Sequence, residues 1–109
     1  MYTATFIFAK GTFDDAFHLL DQEIAEMAKS IPGYLGEESW ESATTGPVSN
    51  VYYWESLESL QQLMSHPKHL EAKARQGDWL AGYQVVISEV LRMYGDNKLG
   101  HQLPVTQAM

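Results

Sequence analysis

The residues best equipped for chemistry lie between Asn50 and His69. Asn50, Tyr52 and Trp54 alternate through Asn50-Val-Tyr-Tyr-Trp54, so a strand turns all three to one face. An amide and an indole N–H can donate to a developing oxyanion, and an imidazole can take a proton near neutral pH. The stretch continues through Ser56 to His66-Pro-Lys-His69 and adds two imidazoles. Together these groups suit removal of a proton from a bound ligand and retention of the anion that forms. Each has a plainer use as well. Asn50 follows Gly46-Pro-Val-Ser and could close a turn or a ladder end, Tyr52 and Trp54 at alternate positions are often core, and helix histidines are often solvated. His66 and His69, with Glu71 nearby, lack a defined third ligand, so no metal site is expected. His18 and His101 receive no role.

Other catalytic signatures are missing from the text. There is no Gly-x-Gly-x-x-Gly, no phosphate loop and no Gly-x-Ser-x-Gly elbow. The chain has no cysteine, which excludes disulfides, thiolate metal sites and a Cys nucleophile. With 7 basic and 14 acidic residues the net charge is -7, the wrong sign for gripping nucleic acid through its phosphates. No segment approaches the roughly 20 apolar residues of a membrane span, and Met-Tyr-Thr-Ala-Thr-Phe does not read as a signal peptide, so the expected address is the cytoplasm.

The elements that must hold these residues follow from period and punctuation. At 109 residues the chain makes one domain, and its 45% hydrophobic content is that of a globular protein. Residues 2 to 9 alternate as a strand that is apolar on both faces. Gly11 ends it, and Thr12 is the expected N-cap of a helix with Asp14 and Asp15 in its first turn. Phe13, Phe17, Leu20, Ile24 and Met27 give that helix one apolar stripe, and Pro32-Gly33 closes it. Tyr34 to Ser42 and Val48 to Glu55 form a hairpin around Ala43-Thr-Thr-Gly-Pro47. Ser56 caps a second helix that breaks at Pro67, continues, and closes at Gly77-Asp78. Trp79 to Gly82 is then a connection, and Tyr83 to Tyr94 the last strand. Residues 95 to 109, polar and without period, make a C-terminal tail beyond a domain of residues 1 to 94.

The order strand, helix, strand, strand, helix, strand is the ferredoxin-like βαββαβ arrangement of an α+β protein, with a four-stranded antiparallel sheet. Its helices cover one face only. Since the central strands are apolar on both faces, a second copy packed sheet to sheet is the expected cover for the other, giving a homodimer.

Tyr53-Trp54-Glu55-Ser56-Leu57-Glu58-Ser59-Leu60, then His66-Pro67-Lys68-His69 with Ala72-Lys73, then Trp79, Gly82-Tyr83 and Val86-Ile87-Ser88-Glu89-Val90 with Arg92-Met93-Tyr94 resemble the antibiotic biosynthesis monooxygenase domain family. The resemblance implies a dimeric α+β barrel with a pocket between helices and sheet. It implies a cofactor-independent monooxygenase that oxidises a small hydroxylated aromatic or quinol. In quinone-forming members an asparagine stands four positions before the strand-three tryptophan, as Asn50 does before Trp54; Leu60 stands where such members have a tyrosine, and Arg75 matches their arginine in approximate position. The resemblance points to Asn50 and Trp54 and, approximately, Arg75; joined to the reading of the residues, with His69 as base, it puts catalysis on Asn50, Trp54 and His69, and substrate contact on Tyr52, Trp79, Tyr83 and Arg75. No bound cofactor is expected. The alternatives are a non-enzymatic ligand-binding or stress-related module of the same fold and, second, a haem-binding or haem-degrading protein. For the latter, Ala72 stands where the iron ligand belongs, His69 lies one turn early, and residues 2 to 9 contain no asparagine.

Overall fold

Alternation in the sequence becomes a four-stranded antiparallel sheet in the computed structural model, which describes residues 1–44, 46–96, 98–99 and 107–108. Its strands are β1 (Tyr2–Lys10), β2 (Tyr34–Glu41), β3 (Val48–Trp54) and β4 (Leu80–Glu89), in the spatial order β2-β3-β1-β4. Helices α1 (Asp15–Ser30), α2 (Leu57–Ser65) and α3 (Pro67–Trp79) complete the α+β, ferredoxin-like order. Beyond the sheet, β5 (Tyr94–Gly95) pairs in parallel with β6 (Gln107–Ala108). Of the tail expected over 95 to 109, residues 97, 100–106 and 109 lie outside those described.

Register decides which side chains meet. Phe6 lies opposite both Asn50 and Val85, Ala4 opposite Tyr52 and Ile87, and Tyr2 opposite Trp54 and Glu89. Directly opposed residues share a face, so one sheet face carries Asn50, Tyr52 and Trp54 together with the even-numbered residues of β1. That face packs under the helices, where Trp54, Ala28, Ile31, Leu60 and Leu63 form the buried core. The other face bears Ile7, Val51, Tyr53 and Val86, and no element of the described chain covers it. Trp40 and Val86 there are 63% and 40% exposed.

Several boundaries differ from the expectations, each for a local reason. The N-cap of α1 is Asp14, not Thr12: its carboxylate accepts from Phe17 N at 2.9 Å. Phe13 therefore precedes the helix and stacks on Phe17, with ring centroids 4.1 Å apart. The break at Pro67 comes as expected, with His66 as C-cap of α2 and N-cap of α3. Gly77-Asp78 does not close α3. The helix runs to Trp79 and passes straight into β4, with Leu80 N donating to Gln76 O. The turn is tight enough that a Cβ on Gly11 would lie 2.4 Å from the Trp79 carbonyl oxygen, so β1 can pass there only as glycine. At its far end β4 stops at Glu89 rather than Tyr94 because its partner runs out: Glu89 lies opposite Tyr2, and the last bond runs from Val90 N to Met1 O at 2.9 Å.

Candidate functional site

Between the sheet and the pair α1 and α3 lies a cavity of about 400 Å³, within the range of small-molecule sites. Its floor is Ala4, Phe6 and Phe8 from β1, Asn50 and Tyr52 from β3, and Tyr83 and Val85 from β4. From α1, Phe17, Leu20, Asp21 and Ile24 close one side; from α3, His69, Ala72, Lys73, Gln76 and Trp79 close the other. Leu63 and Met64 of α2 fill the end nearest the core. Most of this surface is hydrocarbon, so the few polar groups that reach it determine what it can hold.

Asn50 is the floor's amide. It sits mid-strand, between Phe6 and Ser39, rather than at a turn. Ser39 Oγ donates to its Oδ1 at 2.7 Å. That bond occupies the oxygen, and the NH₂ has no partner among the described residues, so it is available to an acceptor in the cavity. His69 meets the cavity from above, and its Nδ1 is buried without a hydrogen-bond partner among the described residues. Burial holds its pKa below the usual histidine range; the Met64 backbone opposes that shift and the Lys73 charge adds to it. The imidazole is therefore neutral, and a base, at neutral pH.

Tyr52 forms part of the floor with its hydroxyl toward Glu37. Burial first, and then the Glu37 charge, raise its pKa strongly, so the phenol keeps its proton. Nearby, Asp21 on the α1 wall is raised by desolvation and by Glu37, with His18 opposing. Tyr83 lines the mouth, packed edge-on against Phe6 with centroids 5.9 Å apart. Tyr83 and Val85 are 47% and 44% exposed, so the cavity opens to solvent along β4. Trp79 is a buried wall whose orientation has a clear cause: its Nε1 donates to Asp14 Oδ1 at 3.0 Å, and its ring meets Phe17 edge-on.

Two expected site residues are elsewhere. Trp54 shares the strand face of Asn50 but is fully buried and does not line the cavity. Tyr52 stacks nearly parallel to it, at 6.4 Å and 15°, and Tyr34 closes its edge. Trp54 Nε1 has no hydrogen-bond partner among the described residues. It backs Tyr52 instead of meeting an occupant. Arg75 lies outside Trp79, its guanidinium 4.5 Å from the indole centroid and its Nε 3.7 Å from Asp78. The two histidines also part: His66 Nδ1 accepts from Lys68 N at 3.1 Å as a helix cap, and only His69 faces the cavity. No cluster of three or more metal-ligating side chains occurs among the described residues.

The sequence reading did not place Asp21, Met64, Lys73 or Gln76 in the site. Spacing carried a usable signal for two of them. Lys73 is one turn from His69 and so shares a helix side with a candidate already named, and Asp21 is one turn from Phe17, on the side of the apolar stripe.

No family model matches the chain. An uncharacterized protein, YqjZ of Bacillus subtilis (strain 168), is 28% identical over 92 residues, covering 84% of this chain and 80% of that protein. Among solved structures, a putative antibiotic biosynthesis monooxygenase from Nitrosomonas europaea superposes with a TM-score of 0.67 at 18% identity, covering 84% of this chain and 99% of its own. SnoaB from Streptomyces nogalater, a cofactor-independent oxygenase, gives 0.68 at 11% identity, covering 84% and 93%. Rv0793 from Mycobacterium tuberculosis gives 0.69 at 18%, covering 83% and 94%. The fold is thus that of antibiotic biosynthesis monooxygenase-type proteins.

Proposed function

We propose that this chain is a member of the antibiotic biosynthesis monooxygenase family and oxidises a small hydroxylated aromatic or quinol with dioxygen, without a bound cofactor. One observation carries the reading. A cavity walled by aromatic and aliphatic side chains is lined by both an amide whose NH₂ has no partner among the described residues, Asn50, and an imidazole held neutral by burial, His69. A structural neighbour described as a cofactor-independent oxygenase supports it at the level of fold.

His69 takes the proton of the substrate hydroxyl, and the Asn50 NH₂ holds the oxyanion. The electron-rich ring then supplies the electrons that reduce dioxygen. One oxygen atom enters the ring and becomes the second quinone carbonyl; the other leaves as water with the two hydrogens the substrate loses. Tyr52, Trp79 and Tyr83 wall the ring, and Trp54 keeps Tyr52 in place from behind. Apolar walls lower the local dielectric and strengthen each electrostatic contact.

Oxygen uptake and quinone absorbance with a panel of hydroxylated aromatics test this. Asn50→Ala is expected to lower kcat/KM by about a hundredfold, the scale of one lost oxyanion donor, and His69→Ala by a similar factor. Binding without oxygen uptake anywhere on the panel would favour a non-enzymatic ligand-binding module. Haem is the further control: a Soret shift on titration that His69→Ala abolishes would replace the oxygenase reading with a haem-binding one.

A further inference from the structure

The proposed reaction uses His69 and Asn50 and leaves Lys73 without a task. Lys73 nevertheless lines the cavity, and it makes no ion pair among the described residues. The other basic groups of α3 are engaged: Lys68 with Glu23 and Arg75 with Asp78. Lys73 follows His69 by one helical turn, and side chains so placed have Cβ atoms about 5–6 Å apart, close to the width of one aromatic ring. Gln76 stands beside Lys73 on the same wall, and no side-chain hydrogen bond ties its amide to the described residues. Ala72 lies between these polar groups and takes up little space. The row His69, Lys73, Gln76 is thus a proton acceptor followed by two unpaired donors, at the edge of an apolar chamber in a chain whose net charge is -7.

We propose that Lys73 and Gln76 form an anion subsite, and that the substrate is a hydroxyaryl carboxylate whose hydroxyl meets His69 while its carboxylate meets Lys73. This rests on the oxygenase reading of the cavity and narrows its substrate class. A neutral phenol offers the ammonium of Lys73, an exposed residue at the rim of the chamber, no charge to pair with. A carboxylate meta to the hydroxyl on the ring forms a charge-assisted hydrogen bond with that ammonium and accepts a second from Gln76. The same contact helps the chemistry. Lys73 is among the charges that disfavour protonation of His69, and an anion beside it cancels that effect as the imidazole takes up its proton. Because the net charge repels anions at long range, the preference comes from the local contact.

The probes are a hydroxynaphthoate with its hydroxyl and carboxylate meta to each other on one ring, and the corresponding uncharged amide. Both are titrated calorimetrically into the full chain at neutral pH. The acid is expected to bind about tenfold more tightly than the amide. Lys73→Gln should bring the acid to the level of the amide and leave the amide unchanged, while Lys73→Arg keeps the preference. Lys73 is exposed, so neither change threatens the fold. Equal affinities in the unaltered chain, or a preference that survives Lys73→Gln, would overturn the anion subsite. Equal affinities with oxygen uptake on the amide would remove the subsite and keep the oxygenase; no binding of the acid would overturn the subsite, while the panel of hydroxylated aromatics decides the oxygenase.

Discussion

Asp14 ties the wall of the cavity to the end of a helix, and replacing it has a cost that can be worked out. One carboxylate oxygen accepts two bonds, from Phe17 N at 2.9 Å and from Trp79 Nε1 at 3.0 Å. Asp14→Ala removes an N-cap, worth about 1 kcal/mol. It also leaves the indole N–H of a tryptophan that is 3% exposed without its acceptor, a loss of about 1–2 kcal/mol. The sum is about 2–3 kcal/mol, or roughly 8–12 °C in Tm for a domain of this size. Asp14→Asn keeps an acceptor at the same place and should recover most of it. Thermal unfolding by circular dichroism, at one fixed protein concentration, measures the change. A double-mutant cycle with Trp79→Phe isolates the indole bond, and a coupling of about 1 kcal/mol is expected. Asp14→Ala within about 0.5 kcal/mol of the unaltered chain, or a coupling of zero, would refute the double role assigned to this carboxylate.

Two further outcomes follow from charge and from exposure. His69 has a folded-state pKa below its unfolded value, so the unfolded chain binds more protons as pH falls through about 6.5. Stability should therefore decline across that window toward the lower folded pKa, and His69→Phe should flatten the decline in pH-dependent melts; an unchanged slope would mean that His69 is not desolvated. The bare sheet face with Trp40, Val51 and Val86 is proposed as the contact between two copies, and sedimentation at micromolar concentration is expected to give twice the chain mass. Val86→Lys should shift that mass toward one chain, whereas a single-chain mass before any substitution would dismiss the contact.

Much of the architecture was legible because it is written in period and punctuation. Alternation along β1 and β3, the stripe on α1, the cap at Ser56 and Pro67 at the start of α3 each depend on a few neighbouring residues. The ends of α3 and β4 were not legible, since neither depends on its own residues. Gly77-Asp78 reads as a stop, but the helix continues to Trp79, where Asp14, far back in the chain, holds the indole. Residues 90 to 94 read as strand, but β1 offers them no partner beyond Tyr2.

The candidate site shows the same division. Parity along a strand settled, from sequence alone, that Asn50, Tyr52 and Trp54 lie on one face. It could not say which layer covers that face, nor how far from the core each residue falls. Only the packing of α1, α2 and α3 decided that Trp54 is enclosed, that Tyr52 stands in front of it, and that Asn50 is left open to the cavity with its oxygen held by Ser39. Of two histidines three residues apart, one caps a helix and the other lines the chamber. A helix side is fixed by spacing, but what lies against it depends on residues distant in sequence, and that is set only when the layers close.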